Sequence, residues 1–182
     1  MTNHAIDPRA LRRALGSFVT GVTVVTTRSH DGELAGLTVN SFSSVSLSPP
    51  LVLWSLALTA VSFEIFERAS HFAVNILAED QIHISERFAT SGGDKFAGVK
   101  VREGLAGVPL LEDVAASFIC RNTFRYPGGD HIILVGEVIS YDQTEREPLL
   151  YSRGRYMGTG ERLDQRHEKE SFMIRVLQKK IL

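Results

Sequence analysis

The chain reads as a mainly β protein, an antiparallel barrel with flanking helices. Three observations predict that class. Short β-branched and apolar runs recur along most of its length, at residues 22–27, 34–47, 51–58, 72–77, 115–125 and 131–141. Turn chemistry separates several of them: Asp31-Gly32 supplies the positive backbone angles of a hairpin, and Tyr126-Pro127-Gly128-Gly129-Asp130 joins the last two runs. The helical segments fall at intervals too irregular for repeated βαβ units, which disfavours a doubly wound parallel sheet.

Taken in order, Asp7-Pro8 starts a helix, with a capping carboxylate followed by proline at the first helical position. Leu11, Leu15 and Phe18 recur at helical spacing, and Gly21 is expected to close the element. Residues 22–27 form a strand, the turn at residues 29–33 reverses it, and residues 34–47 return as the second strand. The Pro49-Pro50 pair ends that segment, because proline offers no ladder donor. Residues 51–58 suit a buried strand. Residues 62–69 form a short amphipathic helix with Phe63, Ile65 and Phe66 inward, and residues 72–77 a further strand. A second helix is expected over residues 79–89, with acids in its first turn where they complement the dipole. Residues 90–99 read as a loop around Gly92-Gly93-Asp94-Lys95-Phe96, and residues 115–125 and 131–141 as an antiparallel pair. Residues 1–160 constitute one domain. Residues 161–182 change character to a charged tail that ends apolar, suited to crossing to a partner subunit, docking on its own barrel or fraying.

Composition excludes several classes. The chain has 182 residues, within the ~100–200 of a single domain, and 43% of them are hydrophobic, enough for a real core. A formal net charge of −1 lacks the footprint of a nucleic-acid binder. No apolar run reaches the ~18–20 residues that cross a membrane, and the N-terminus lacks the basic and apolar regions of a signal peptide. The lone Cys120 has no disulfide or metal-knuckle partner and is expected to be a small buried hydrophobe. A cytoplasmic protein is the expectation.

Motifs for nucleotide-phosphate loops are missing: neither a Gly-x-Gly-x-x-Gly turn nor a Walker loop occurs, and there is no Gly-x-Ser-x-Gly elbow. His83 and Glu86 stand one helical turn apart, but a third ligand at recognised spacing is lacking, so a solvated helix face is expected rather than a metal site. Chemistry on this chain is therefore expected to belong to a bound organic cofactor, with the protein supplying binding and orientation.

The segment from Gly36 to Val52 is too polar for a core strand and too apolar for a surface loop. Thr38, Asn40, Ser41, Ser43 and Ser44 alternate with Leu37, Val39, Phe42 and Val45. One face of such a strand packs, and the other offers small hydrogen-bonding groups to a flat polar ligand. Residue types alone leave a second reading open, in which the serines cap their own backbone.

The run Gly-Leu-Thr-Val-Asn-Ser-Phe-Ser-Ser-Val-Ser-Leu-Ser-Pro-Pro at residues 36–50 resembles the signature of the short-chain flavin reductases, the reductase components of two-component flavin-dependent monooxygenases. Three further segments resemble that family in the same order: Gly16-Ser17-Phe18-Val19-Thr20-Gly21-Val22-Thr23-Val24-Val25-Thr26, Ser85-Glu86-Arg87-Phe88-Ala89, and Asp130-His131-Ile132-Ile133-Leu134-Val135-Gly136-Glu137-Val138. The resemblance covers residues 9–157 and implies an FMN-binding split barrel, antiparallel and Greek-key-like. It places an isoalloxazine ring and ribityl chain against Thr38, Val39, Asn40 and Ser41. It places the phosphate on the loop from Ser55 to Ser62, where this chain departs from its relatives by having no Lys or Arg; Arg87 and Lys95 are the possible substitutes. Phe96 is a candidate to stack on a ring and Phe88 is expected in the core. His131, at the start of a strand after a turn, corresponds to a family histidine that holds the nicotinamide, the other reading being a turn histidine bonded to Asp130. Tyr156, in Tyr151-Ser152-Arg153-Gly154-Arg155-Tyr156, edges the flavin or the dinucleotide.

The implied activity is an NAD(P)H:flavin oxidoreductase that takes hydride from NADH or NADPH, reduces FMN or FAD, and supplies the reduced flavin to a monooxygenase, acting as a homodimer. Alternatives from other classes are a tight FMN-binding module without free-flavin turnover, and a flavoenzyme that reduces another acceptor.

Overall fold

In a computed structural model the described residues are 6–160. The elements follow in the order α1 (Pro8–Leu15), β1 (Thr20–Gly21), β2 (Thr23–Arg28), β3 (Leu34–Val39), β4 (Ser43–Leu47), β5 (Pro50–Ala57), α2 (Phe63–Arg68), β6 (His71–Ile76), α3 (Ile82–Ala89), β7 (Val101–Glu103), β8 (Pro109–Leu111), β9 (Ala116–Gly128), β10 (His131–Gln143), β11 (Leu150–Ser152) and β12 (Arg155–Met157). The charged tail expected at residues 161–182 lies outside the described residues.

Seven strands form one sheet in the order β3-β2-β6-β9-β10-β5-β4, and every neighbouring pair is antiparallel. Its two edge strands, β3 and β4, are consecutive in the chain and joined only by residues 40–42. Flat, such a sheet would hold its edges ~29 Å apart, whereas that linker spans at most ~14 Å. The sheet must therefore curl. β3 and β4 do not pair, so the barrel stays split rather than closed.

The curl creates the core. Val25 and Ala35 from one edge share a cluster with Val52, Trp54 and Leu56 from the other, together with Phe72, Val74, Cys120 and Leu134. Trp54 is fully buried, with Phe66 and Phe72 edge-on at centroid distances of 5.2 and 5.8 Å. Gly136 is required at a close approach: a Cβ there would lie 2.5 Å from Phe72 Cζ and 2.7 Å from Cys120 Cβ. A register shift in the β9–β10 ladder falls between Val135 and Gly136. The buried Asn75 crosslinks a second layer, donating to Val24 O at 3.0 Å and accepting from Leu111 N at 3.0 Å.

Several expectations need correction. Asp7 caps α1 as expected, accepting from Arg9 N at 2.9 Å, but the helix closes at Gly16, five residues before Gly21. Residues 34–47 are two strands, because residues 40–42 must turn from one sheet edge to the other. The second helix starts at Ile82 with no acid in its first turn: Asp80 is engaged by Arg146, and Glu79 N donates to Glu147 O at 2.9 Å. The β9–β10 turn is tighter than expected, since Tyr126, Pro127 and Gly128 continue the strand. Pro127 is tolerated because β9 pairs with β6 only as far as Arg121, leaving this stretch hydrogen-bonded on one side. The hairpins β7–β8 and β11–β12 have no counterpart in the sequence reading; strands of three residues carry too little periodicity to announce themselves.

Candidate functional site

The end of β3, α3, the loop at residues 90–99 and the β11–β12 hairpin converge. Thr38 Oγ1 donates to Ser85 O at 2.7 Å, and Ser85 Oγ lies 2.9 Å from the Tyr156 hydroxyl. Tyr156 meets Tyr151 edge-on at 5.4 Å. Together Val22, Thr38, Val39, Asn40, Ser85 and Tyr156 border a cavity of about 210 Å³, with Ala89 and Tyr151 completing it. Asn40 is exposed, and its amide makes no hydrogen bond with a described residue.

On the other side of Thr38 a cavity of about 710 Å³ runs between β3, the start of α2 and the loop at residues 90–99. Leu37, Ile65, Phe88 and Phe96 give it apolar walls, and Ser62 and Lys95 add polar groups. Its size lies within the ~300–1,000 Å³ of small-molecule pockets. Ser62 stands at the N-cap of α2 and makes no side-chain capping bond. Lys95 Nζ donates to Gly36 O at 3.2 Å and Phe88 O at 3.0 Å, so the lysine ties the loop to both β3 and the C-terminal end of α3. Partial burial lowers the Lys95 ammonium from its ordinary range. Phe96 stacks edge-on against the fully buried Phe88 at 5.1 Å. Asp94 Oδ1 shapes the turn, accepting from Phe96 N at 3.0 Å and Ala97 N at 3.2 Å. Gly36 is required here, since a Cβ would come within 2.5 Å of Phe88 Cε1.

The sequence candidates thus divide. Thr38, Val39, Asn40 and Tyr156 share one cavity, and Thr38, Ser62 and Phe96 share the other. Ser41 and Ser55 are brought together, but for each other: Ser41 Oγ accepts from Ser55 N at 2.9 Å. That is the backbone-capping reading of the serines, realised here and again where Ser43 Oγ donates to Ser44 O and Ser46 Oγ accepts from Ser48 N. Arg87 donates to Ala97 O and holds the loop; it lines neither cavity. His131 lines neither, and starts β10 opposite Ala57, where β5 leads toward the Ala60–Ser62 wall. Its Nδ1 is 2.6 Å from Asp130 Oδ1, and its side chain is 41% exposed. The hydrogen bond from His131 holds the Asp130 carboxyl below its usual range. An ionised carboxylate only accepts, so Nδ1 carries the hydrogen and Nε2 is left for a ligand. Ser85 was missed in the sequence, because a serine inside a helical run carries no sign that its hydroxyl faces a tyrosine 71 residues on. Among the described residues no group of three or more His, Cys, Asp or Glu side chains is placed to hold a metal ion.

The donor set fits a flavin: apolar walls for a flat ring, and unengaged amide and hydroxyl groups at Asn40 and Ser62 for its polar rim and chain. The model of the flavin reductase like domain matches residues 15–160. The chain belongs to the flavin reductase-like family. Within that family, the Probable flavin reductase of Rhizobium meliloti (strain 1021) is 45% identical over 156 residues, which make up 86% of this chain and 50% of that protein. This chain therefore spans half the length of that relative. The FMN reductase (NADH) SmoA of Agrobacterium fabrum is 44% identical over 150 residues, 82% of this chain and 85% of SmoA. Other family members are named reductase components or subunits of flavin-dependent monooxygenases. Among solved structures, the NADH:FAD oxidoreductase SgcE6 of Streptomyces globisporus C-1027, in complex with NAD and FAD fragments, superposes with a TM-score of 0.82 at 39% identity over 88% of this chain and 99% of SgcE6. The split sheet is thus the scaffold that flavin reductases use.

Proposed function

We propose that this chain is an NAD(P)H:flavin oxidoreductase that passes hydride from NADH or NADPH to FMN or FAD and releases the reduced flavin to a partner monooxygenase. The observation that carries the proposal is the convergence of Thr38, Val39, Asn40 and Tyr156 on one cavity, beside an Asn40 amide left free for a ligand. When bound, the flavin supplies the ring that accepts hydride; the chain supplies alignment. Val39 and Tyr151 offer apolar surface to a ring edge, Asn40 a donor and an acceptor to its polar rim, and Ser62 a hydroxyl at the phosphate end. Hydride transfer demands proximity more than an acid, so positioning accounts for the polar but otherwise unreactive character of these side chains.

Weak capture of the phosphate suits a flavin that must leave. The α2 helix has six residues and contributes little dipole. Lys95, the cation on that cavity, spends two of its three donors on backbone carbonyls. Arg87 serves the loop and Ser41 and Ser55 serve the backbone, so the proposal gives them a supporting role. His131 remains the candidate to hold the nicotinamide through Nε2.

A homodimer is part of the proposal. Leu15 and Phe18 are 66% and 78% exposed, and Phe124, Tyr126, Ile139 and Tyr141 are also open to solvent, an apolar surface that a second copy would cover. No helix among the described residues is long and apolar enough to cross a membrane. A cytoplasmic location, where reduced nicotinamide dinucleotides are available, accords with the proposed substrate. Residues 1–160 act as the working domain, with residues 161–182 as an extension.

The test is oxidation of NADH and NADPH, separately, by purified protein with FMN, FAD or riboflavin in excess. Saturable turnover that depends on added flavin is expected. No turnover with any pair would remove the reductase proposal, and a yellow purified protein would then favour the tight FMN-binding module.

A further inference from the structure

Two side chains of β9 grip the C-terminal end of α2, opposite the end that lines the larger cavity. β9 pairs with β6 only as far as Arg121, and beyond that point its side chains meet α2 instead. Asn122 Nδ2 donates to Phe66 O at 3.3 Å and to Ala69 O at 3.1 Å. Arg125 Nε donates to Glu67 O at 2.8 Å, and its Nη2 to Ala69 O at 3.3 Å. The last carbonyls of a helix have no partner within it, so these two residues supply what α2 lacks. Strict alternation would send residues 122 and 125 to opposite faces of the strand. A bulge prevents it. Phe124 pairs with Val135 and Asn122 with Gly136, which leaves Thr123 as an extra residue, its Oγ1 donating to Arg121 O at 3.0 Å. Such a bulge re-aims the strand, and here it lets both side chains reach one helix. Asn122 is kept at a cost. Its Oδ1 is buried without a hydrogen-bond partner, which disfavours the fold, and the two bonds from Nδ2 offset it.

A grip on one end of α2 sets the other. A helix of six residues is ~9 Å long and too short to be stable alone, so it moves as one piece with its anchor. Phe66 docks its inner side on Trp54. Ala60, Val61, Ser62 and Ile65 form the α2 wall of the cavity of about 710 Å³. Ser62, at the N-cap, makes no side-chain capping bond that would fix it locally. Asn122 and Arg125 do not line that cavity themselves.

We propose that Asn122 and Arg125 are positioning residues for the flavin: acting through α2, they hold the Ser62 hydroxyl and the Ile65 wall where the phosphate end of the flavin binds. This rests on the flavin site proposed above. The Thr123 bulge then serves the cavity as well as the strand. A change on β9 should alter the discrimination between flavins with and without a phosphate while touching neither.

The test compares native protein with Arg125→Gln, Arg125→Lys, Asn122→Ser and Ser62→Ala, after melting curves show which variants fold. Arg125 is exposed, so its variants keep the test decisive if Asn122→Ser does not fold. Dissociation constants for FMN, and for riboflavin, which has no phosphate, are measured by quenching of flavin fluorescence. Arg125→Gln, and Asn122→Ser, which changes no charge, should each raise the Kd for FMN about fivefold, the scale of the one hydroxyl contact they misplace. The Kd for riboflavin should stay unchanged. Arg125→Lys keeps the charge but loses the fork that reaches two carbonyls, and should recover only part of the affinity. Ser62→Ala should match Arg125→Gln, and the double variant should be no worse than either. Unchanged FMN affinity in Arg125→Gln would overturn the proposal. So would equal losses for FMN and riboflavin, which would mark a general structural role, or full recovery in Arg125→Lys, which would mark attraction by charge alone. Additive losses in the double variant, or no loss in Ser62→Ala, would separate the grip from Ser62 and overturn it too. Native protein that binds neither flavin would remove the site on which the proposal rests. The expected pattern of affinities in a protein that oxidises neither NADH nor NADPH with any flavin would keep the positioning role and sink the reductase function instead.

Discussion

The Tyr156 hydroxyl and Ser85 Oγ lie 2.9 Å apart, so the C-terminal hairpin is tied to α3 directly beneath the Thr38 end of β3. Ser85 is fully buried, and its hydroxyl has no second side chain to turn to. Tyr156→Phe should therefore lower stability by about 1 kcal/mol, the net worth of a hydrogen bond of this kind. Urea denaturation of both proteins checks it; equal midpoints would mean that the pair contributes nothing.

Asn40→Leu should weaken flavin binding by ~1–3 kcal/mol, because a polar rim group of the ligand would face an apolar side chain. Asn40 is exposed and unbonded among the described residues, so stability should change little. Flavin titration together with a melting curve separates the two effects. An unchanged flavin affinity would move the ring away from β3.

Gly36→Ala should cost ~1–3 kcal/mol through overpacking. The new methyl would meet the Phe88 ring at 2.5 Å, and that ring is packed on Phe96 and cannot swing aside. Displacing Phe88 and Phe96 would also reshape the larger cavity. Denaturant midpoints and flavin KM should shift together in this variant; a native-like midpoint would show that the rings have room to move.

Burial pushes the Cys120 thiol up from 9.0 to about 12. The folded state then keeps its proton where the unfolded chain has lost it. The contribution is fully present below about pH 9 and declines as pH rises through about 12, by ~1.4 kcal/mol per pH unit. Cys120→Ala removes this slope. The stability difference between native protein and variant, measured from pH 8 to 11, should become less favourable to the native protein as pH rises; a flat difference would contradict the burial.

His131→Ala should slow nicotinamide oxidation more than it weakens flavin binding, since His131 lines neither of the two cavities at Thr38 and its Nε2 is left for a ligand. Asp130→Asn removes the carboxylate that orients the ring and should reproduce part of the loss. Because the Asp130 pKa is lowered, its bond to His131 holds above the ordinary carboxylate range and is lost as pH falls into the acid range, so activity should drop there first in the native protein. Full activity in His131→Ala would remove the residue from the site.

The strand segments at residues 22–27, 51–58, 72–77, 115–125 and 131–141, the Asp31-Gly32 reversal and the cap at Asp7 were determined by the sequence itself, because period, backbone preference and a capping oxygen act over a few neighbouring residues. The order of the Gly36 to Pro50 run and its companion motifs was also sufficient to point to the family. Tertiary structure alone decided which hydroxyls are free. Ser41 and Ser55 spend theirs on each other, Thr38 on α3, and Arg87 on a loop carbonyl, although in sequence all four are equally plausible ligand contacts. It also decided that Asn40 lies at a break between two edge strands, because a seven-stranded sheet whose edges are joined by so short a linker must curl. A side chain's type is local, but its hydrogen-bond partner is set by segments tens of residues away, and that choice is made only when the sheet folds over its core.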